Sequence, residues 1–410
     1  SFFTCANFLT YGNDLRVVRA VNGVSTRSAT ASGNNTYLIK NEDQYFTSYY
    51  GANTGNTGAW VARYPGALGN SLKVSVWANT DLTHFNAWAY KNYFDAVPGT
   101  STYVSAAGGA NDEMHIVVVD EDGLFSGTTG TVLETYPFVS KASDAKDSVG
   151  NSNYYRDVIW RKSKYIYWTD HPDIANTYVT WGTTAAGKTF AQVPNVAAAH
   201  TVSLSSGADG TIASGNVQTA YSKFIDADQI DVSLIMTGDA DSATALYAIN
   251  SIAESRKDCV VFVSPALANV TSATPADDVV NYRKNALSNV SSSYAVMDSG
   301  WKYQYDKYND KYRWIPLNGD VAGLCARTDT ETDPWFSPAG ASRGSVKNVI
   351  KLAYYPAKAD RDTLYKNGIN PVVSFAGEGT LLFGDKTMLS KPSAFDRINV
   401  RRLFIALEKA

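Results

Sequence analysis

The chain has 410 residues, a net charge of −3, 18% charged and 12% aromatic side chains, which is enough length for two or three domains with sizeable cores. No basic balance or long charge run points to nucleic acid, and no run of about 18 apolar residues is present to cross a membrane. Cys5, Cys259 and Cys325 lie far apart with no ligand spacing, which fits a reduced, cytosolic assembly site. In chain order, Phe2, Phe3, Ala6 and Leu9 have helical spacing, Gly12-Asn13 stops that helix, and Leu15 to Val21 continues extended. From Asn22 the composition turns to Ser, Thr, Asn and Gly (22–35 and 51–58), which reads as loops. Four short strands are expected at Leu72–Trp77, His115–Val119, Val158–Trp160 and Tyr178–Trp181, with turns such as Asp122-Gly123 between them. This is the pattern of an antiparallel β-rich domain, and the Gly/Ser-rich stretch 203–215 reads as the linker that closes it.

After Gly215 the period changes. Val217, Ala220, Tyr221 and Phe224 share a helical face, as do Leu246, Ile249, Ile252 and Ala253, and then Val279, Val280, Arg283 and Leu287. Strands fall between them at 232–236, 259–263 and 294–297; the second is apolar throughout, as expected of a strand covered on both faces. Helix alternating with strand predicts a mostly parallel sheet with flanking helices, an α/β core that the strand at 15–21 joins. The β-rich segment is then an insertion in that core. The expected division is 1–21 as the first helix and strand of the core, 22–206 as the inserted β-rich outer domain, and 207–410 as the rest of the core. Trp301, Tyr303, Tyr305, Tyr312 and Trp314 alternate across an Asn309-Asp310 turn and read as an aromatic-faced hairpin. Its rings either pack on their own sheet or stack a sugar or base. Further helices are expected around Val321–Cys325, Val346–Ile350 and Asp360–Lys366.

The last stretch carries the most information. Ser393 and Asp396 have capping-box spacing, which starts a helix there. On that helix Val400, Leu403, Phe404 and Leu407 form one apolar face. Ile398 and Ile405 form a second, narrower strip, with Arg397, Arg401 and Glu408 between them. Two stripes fit a helix that touches its own domain on one side and another body on the other; a helix sandwiched within one domain fits as well.

No group of residues spells out catalysis. Gly182-Thr-Thr-Ala-Ala-Gly-Lys188-Thr189 fits the phosphate-loop pattern and follows an expected strand, but Pro194 leaves barely a turn for the helix such a loop needs. Asp120 to Gly123 lacks the later ligands of a calcium loop and reads as a hairpin turn. The acids of 238–242, and Asp277 with Asp278, sit where helix starts favour negative charge. His84, His115, His171 and His200 are scattered, with no metal-ligand spacing. No catalytic, cofactor-binding or metal residue is assigned.

The stretch 384–404, with Gly384-Asp385-Lys386-Thr387 and Phe395-Asp396-Arg397-Ile398-Asn399-Val400-Arg401-Arg402-Leu403-Phe404, resembles the C-terminal region of contractile-tail sheath proteins of large, T4-like tailed bacteriophages. Tyr303 to Asp310, Ala322 to Asp329, Ser337 to Gly340, Asn7 to Leu9 and Tyr11 to Ala20 are similar to the same family; the middle of the chain matches poorly. The resemblance implies a structural, non-enzymatic subunit that stacks with its copies as six-membered rings around a tail tube. Terminal arms would add strands to a neighbour's sheet, and contraction would be a rigid-body rearrangement that drives the tube through the host envelope. It implies as partners other sheath subunits, the tube, baseplate and terminator proteins, with no nucleic acid, membrane insertion or cofactor. It places the protein in the virion tail, and in the host cytoplasm during assembly. It also implies a fragment lacking the N-terminal arm and the C-terminal extension. Arg397, Arg401, Arg402, Ile398, Ile405 and Lys386 are then the expected subunit-facing or tube-facing residues. Two other readings are a nucleotide hydrolase on the α/β core, using Lys188, and a glycan-binding module with Trp160, Tyr165, Tyr167 and Trp168 as its platform.

Overall fold

The computed structural model describes residues 2–34, 36–50, 57–172, 180–192 and 199–409. The chain forms two compact units, Ser1–Ala20 with Ile212–Ala410, and Val21–Thr211. The first unit opens with helix α1 (Phe2–Phe8). Beyond Gly12 the chain up to residue 22 forms neither helix nor strand and enters no sheet. The expectation that 15–21 joins the parallel sheet is therefore corrected. Helix α1 packs instead on a glycine-bearing helix later in the chain.

The Val21–Thr211 unit contains strands β1 (Trp60–Ala62), β2 (Leu72–Trp77), β3 (Glu113–Asp120) and β4 (Thr131–Ser140). Helix α2 (Tyr155–Lys162) and strands β5 (Ile166–Trp168) and β6 (His200–Ser203) follow. The main sheet runs β4-β3-β2-β6 and is antiparallel throughout, while β1 pairs with β5. Strand β3 is almost wholly buried because both faces are covered. Met114, Ile116 and Val118 pack with Trp60, Tyr155 and Trp168, whereas Val117 and Val119 pack with Trp77, Phe85 and Trp88. Each such side chain contributes about 1.5–3 kcal/mol by leaving water.

Three expectations change in this unit. Val158–Trp160 is helix, not strand: Tyr155, Val158 and Ile159 are buried at helical spacing, with Asp157 in the first turn and Arg161 and Lys162 in the last. Of Tyr178–Trp181, the first two residues lie outside the described ones, and Thr180 and Trp181 are in a turn; in the loop 51–58, residues 51–56 also lie outside. The stretch 203–215 is no free linker. The Ser205 and Thr30 backbones exchange hydrogen bonds of 3.0 and 2.9 Å, and those of Ala208 and Arg27 do so at 3.1 and 2.8 Å.

The first unit resumes with α3 (Ser214–Tyr221), β7 (Leu234–Met236), α4 (Ser242–Tyr247), which winds on in wider turns to Arg256, and β8 (Val260–Val263). Then come α5 (Pro275–Asn281), β9 (Ala295–Asp298), β10 (Trp301–Asp306), β11 (Lys311–Pro316) and α6 (Asn318–Glu331). The chain ends with β12 (Lys351–Leu352), α7 (Lys358–Lys366), β13 (Ile369–Asn370), β14 (Val372–Phe375), β15 (Gly379–Leu382) and α8 (Ile398–Lys409). Strands β13-β9-β8-β7 make a four-stranded sheet with every pairing parallel. The aromatic hairpin β10–β11 forms, with Tyr303 opposite Trp314 and Tyr305 opposite Tyr312. Residues 346–350 are not helical; the Val346 amide donates to Thr380 O at 2.8 Å, which ties this stretch to the β15 edge. Helix α1 lies on α6 through two glycines: a Cβ at Gly323 would meet the Tyr11 ring at 2.4 Å, and one at Gly319 would meet Thr4 O at 2.6 Å.

A candidate subunit interface on the last helix

Helix α8 begins later than its cap signal suggests. Ser393 accepts from the Phe395 amide at 3.0 Å, but it caps only a 3₁₀ turn over Ala394–Asp396. The Thr387 amide donates to Asp396 O (2.9 Å) and the Ile398 amide to Asp385 O (2.7 Å). This pairing holds Arg397 extended, so the α-helix starts only at Ile398.

The six expected interface residues then divide. Ile398 and Ile405 are buried in the main core of their own unit. Arg401 is buried as well: its guanidinium lies 4.2 Å from the centres of both the Tyr294 and Phe395 rings and donates to the Tyr294 hydroxyl at 3.1 Å. Arg402 is buried against Asp329 of α6, to which it is salt-bridged. These four residues face inward, which corrects their expected role. The desolvated arginines are matched within the unit by aromatic faces and a carboxylate, as buried cations require.

Arg397 and Lys386 stay at the surface around one ring. Arg397, its side chain 43% exposed, meets Asp385 at 2.5 Å and donates to the Tyr365 hydroxyl, while Lys386 Nζ lies 4.5 Å from the centre of the Tyr365 ring. The outward side of α8 is apolar: Phe404 is 39% and Leu407 61% exposed. Phe404 meets Phe395 edge-on at 5.0 Å. Trp335 and Phe336 are also exposed, and Asn399 on α8 donates to Trp335 O at 3.1 Å. The sequence pattern identified both apolar strips of α8 without a direction; the resemblance put Ile398 and Ile405 outward, whereas they face the core. It gave no sign of Trp335 and Phe336.

The other candidate sites are filled by the protein itself. Ligands of open α/β sheets bind at the carboxyl ends of the strands. There Ser264 Oγ donates to Asp298 Oδ2 at 2.6 Å, and Asn318 Nδ2 donates to Ser264 Oγ (3.0 Å) and Gly238 O (2.7 Å). All four residues are buried, and burial pushes the Asp298 carboxyl up to about 8. In the phosphate-loop lookalike no helix follows among the described residues; Pro194 itself lies outside them. Its amides are already engaged: Gly182 donates to Lys141 O, Ala185 to Asp144, Gly187 to Ala107 O and Lys188 to Ala185 O. Tyr167 and Trp168 are buried, so the proposed glycan platform is closed.

Asp120 organises its own turn. Burial works against its charge, yet hydrogen bonds from Ser71, Ser126 and the Phe125 amide hold the carboxyl below its ordinary value. Asp241 caps α4 by accepting from the Thr244 amide at 2.8 Å. His115 stacks on Phe94 at 4.1 Å, and burial pushes it down to about 4. Among the described residues no three His, Cys, Asp or Glu side chains are grouped to hold a metal ion, and no helix is long and apolar enough to cross a membrane.

Residues 215–388 match the family model described as the phage tail sheath protein central domain. The tail sheath protein of Enterobacteria phage T4 is 34% identical over 85% of this chain and 51% of its own length. The chain is similar to the tail sheath proteins of tailed bacteriophages. The sheath protein of Vibrio phage KVP40 is 52% identical over 41% of the chain and 27% of its own length, and that of Salmonella phage ViI is 28% identical over 100% and 73%. The chain thus spans about half the length of its T4 sheath relative. The sheath central domain takes in the parallel sheet, the aromatic hairpin and Lys386, and stops short of α8.

Proposed function

We propose that this chain is a structural subunit of a contractile phage tail sheath, polymerising with its copies as stacked hexameric rings around the tail tube. On this reading the mostly parallel α/β unit is the sheath core and the antiparallel unit is a domain inserted in its sequence. Baseplate and terminator proteins bound the cylinder, which assembles in the host cytoplasm and resides in the virion tail. Contraction is a rigid-body move of subunits between two lattices, driving the tube through the host envelope. The free energy is the difference between those lattices, so no bond is made or broken.

The observation that carries this reading, beside the sheath relationship, is α8. One side is anchored by Ile398, Arg401, Arg402 and Ile405, and the other shows Phe404 and Leu407 to solvent beside the surface pair Arg397 and Lys386. Such a helix fits a contact between bodies, and we assign the outward side to a neighbouring subunit or the tube. Electron microscopy of the full-length protein tests this. Hollow striated cylinders are expected, and they should be lost in a Phe404→Asp/Leu407→Asp variant whose thermal unfolding is unchanged. Dispersed particles from the unaltered protein would refute the sheath reading, and cylinders from the variant would refute the role given to α8.

A further inference from the structure

Strand β10 and the first turn of α6 bring Lys302 and Asp320 together in the core of the first unit. Both side chains are 0% exposed, and Lys302 Nζ lies 2.8 Å from Asp320 Oδ1. Nζ also donates to Lys347 O at 2.8 Å, and the Tyr11 hydroxyl donates to Asp320 Oδ1 at 2.9 Å. The other carboxylate oxygen, Asp320 Oδ2, has no partner among the described residues. A simple ion pair accounts for this arrangement incompletely. Buried polar atoms are normally satisfied, a carboxylate accepts at both oxygens, and an ammonium carries three N–H donors. Here one oxygen is left over. An amide between the two side chains leaves nothing over: its oxygen, Oδ1, keeps the Tyr11 hydroxyl, its single N–H keeps Lys347 O, and Oδ2 is gone.

We infer that Lys302 and Asp320 condense, without an enzyme, into a side-chain amide that bonds β10 to α6. The chemistry balances within the pair. One proton passes from the ammonium to Oδ2, leaving an amine and a carboxylic acid. The Nζ lone pair then bonds to Cγ and the Cγ–Oδ2 bond breaks. Oδ2 departs as water, carrying the first proton and a second one from Nζ. Nothing is oxidised or reduced, and no co-reactant is needed. Burial favours the uncharged reactants, pushing Lys302 down and Asp320 up against their mutual attraction. The fold also holds nitrogen and carboxyl in contact, which makes the step unimolecular. Asp298, four positions before Lys302 at the end of β9, is pushed up to about 8 by burial and by the Asp320 charge, against hydrogen bonds from Ser264 and the Gly300 amide. It therefore holds a proton at neutral pH and serves as the relay between Nζ and Oδ2. The inference concerns one copy alone and does not depend on the sheath reading. The bond forms once, after folding, and takes no part in contraction.

The intact mass of the full-length protein, denatured before measurement, tests this. A mass below that of the sequence by one water is expected, with a protease digest in which the peptide holding Lys302 is joined to the one holding Asp320. The full sequence mass, or a lost water without that joined pair, would overturn the inference. Lys302→Arg keeps the charge but should show the full mass; a Lys302→Arg protein equally light would place the loss elsewhere and overturn it too. In a time course after cell-free synthesis, Asp298→Asn should form the joined species about a hundredfold more slowly than the unaltered protein. Equal rates would remove Asp298 from the reaction.

Discussion

Each unit buries one lysine completely, and the two are stabilised differently. Lys302, in the hairpin of the two-segment unit, donates to Asp320 Oδ1 at 2.8 Å and to Lys347 O at 2.8 Å. The Tyr11 hydroxyl donates to the same carboxylate oxygen at 2.9 Å and accepts from the Lys347 amide at 2.7 Å. Burial pushes Lys302 down and Asp320 up, and the attraction between them opposes both shifts. Lys141 in the Val21–Thr211 unit has no bonded carboxylate. It donates to Ala78 O (3.1 Å) and Asn111 O (2.8 Å) and lies 5.3 Å from the centre of the Trp181 ring. Burial pushes it down to about 7, against the pull of Asp112 and Glu113. A paired buried lysine ties distant segments together, here β10 and the turn after α1 to α6. One held by carbonyls and a ring face has its charge left open to titration.

Removing a partner should break the paired site hardest. Asp320→Ala leaves the Lys302 charge buried and uncompensated, at a cost of about 3–5 kcal/mol by denaturant unfolding. A loss below ~1 kcal/mol would mean that the ion pair does not hold the hairpin to α6.

The unpaired site should instead show in pH dependence. An unfolded lysine binds its proton up to about pH 10.5, while folded Lys141 releases it near 7. Between those values the unfolded state binds more protons, so stability rises with pH across the window and the penalty is fully present below it. The slope from this residue approaches at most about 1.4 kcal/mol per pH unit. Unfolding free energies measured from pH 7 to 9 should rise less steeply in Lys141→Met than in the unaltered protein. Equal slopes would show that Lys141 stays charged through the window.

How much of this was legible follows from distance along the chain. Strands β2, β3, β8 and β9 were marked by apolar runs or alternation, and the helices around α4 and α5 by their period, because local sequence decides those patterns. The Val158–Trp160 triplet was too short to show its period without Tyr155. The direction of α8 could not be read locally at all. Arg401 finds Tyr294 across 107 positions and Arg402 finds Asp329 across 73. Only tertiary partners separate a buried arginine from a solvated one, so the helix was seen and its inward face was not.

The smallest expected effect lies at Lys188, in the segment whose letters most resemble a nucleotide site. Its side chain is exposed, and the neighbouring amides are engaged by Lys141 O, Asp144 and Ala107 O, which leaves few donors to receive a phosphate. Lys188→Ala should change stability by less than about 0.5 kcal/mol. Nucleoside triphosphate with magnesium should leave the melting temperature of both proteins where it was, because only a ligand that binds the folded state raises it. A nucleotide-dependent rise in the unaltered protein that Lys188→Ala abolishes would overturn this reading of the loop. It would give the Val21–Thr211 unit a ligand of its own, and the contrast between the two units would then extend from how they bury charge to what they bind.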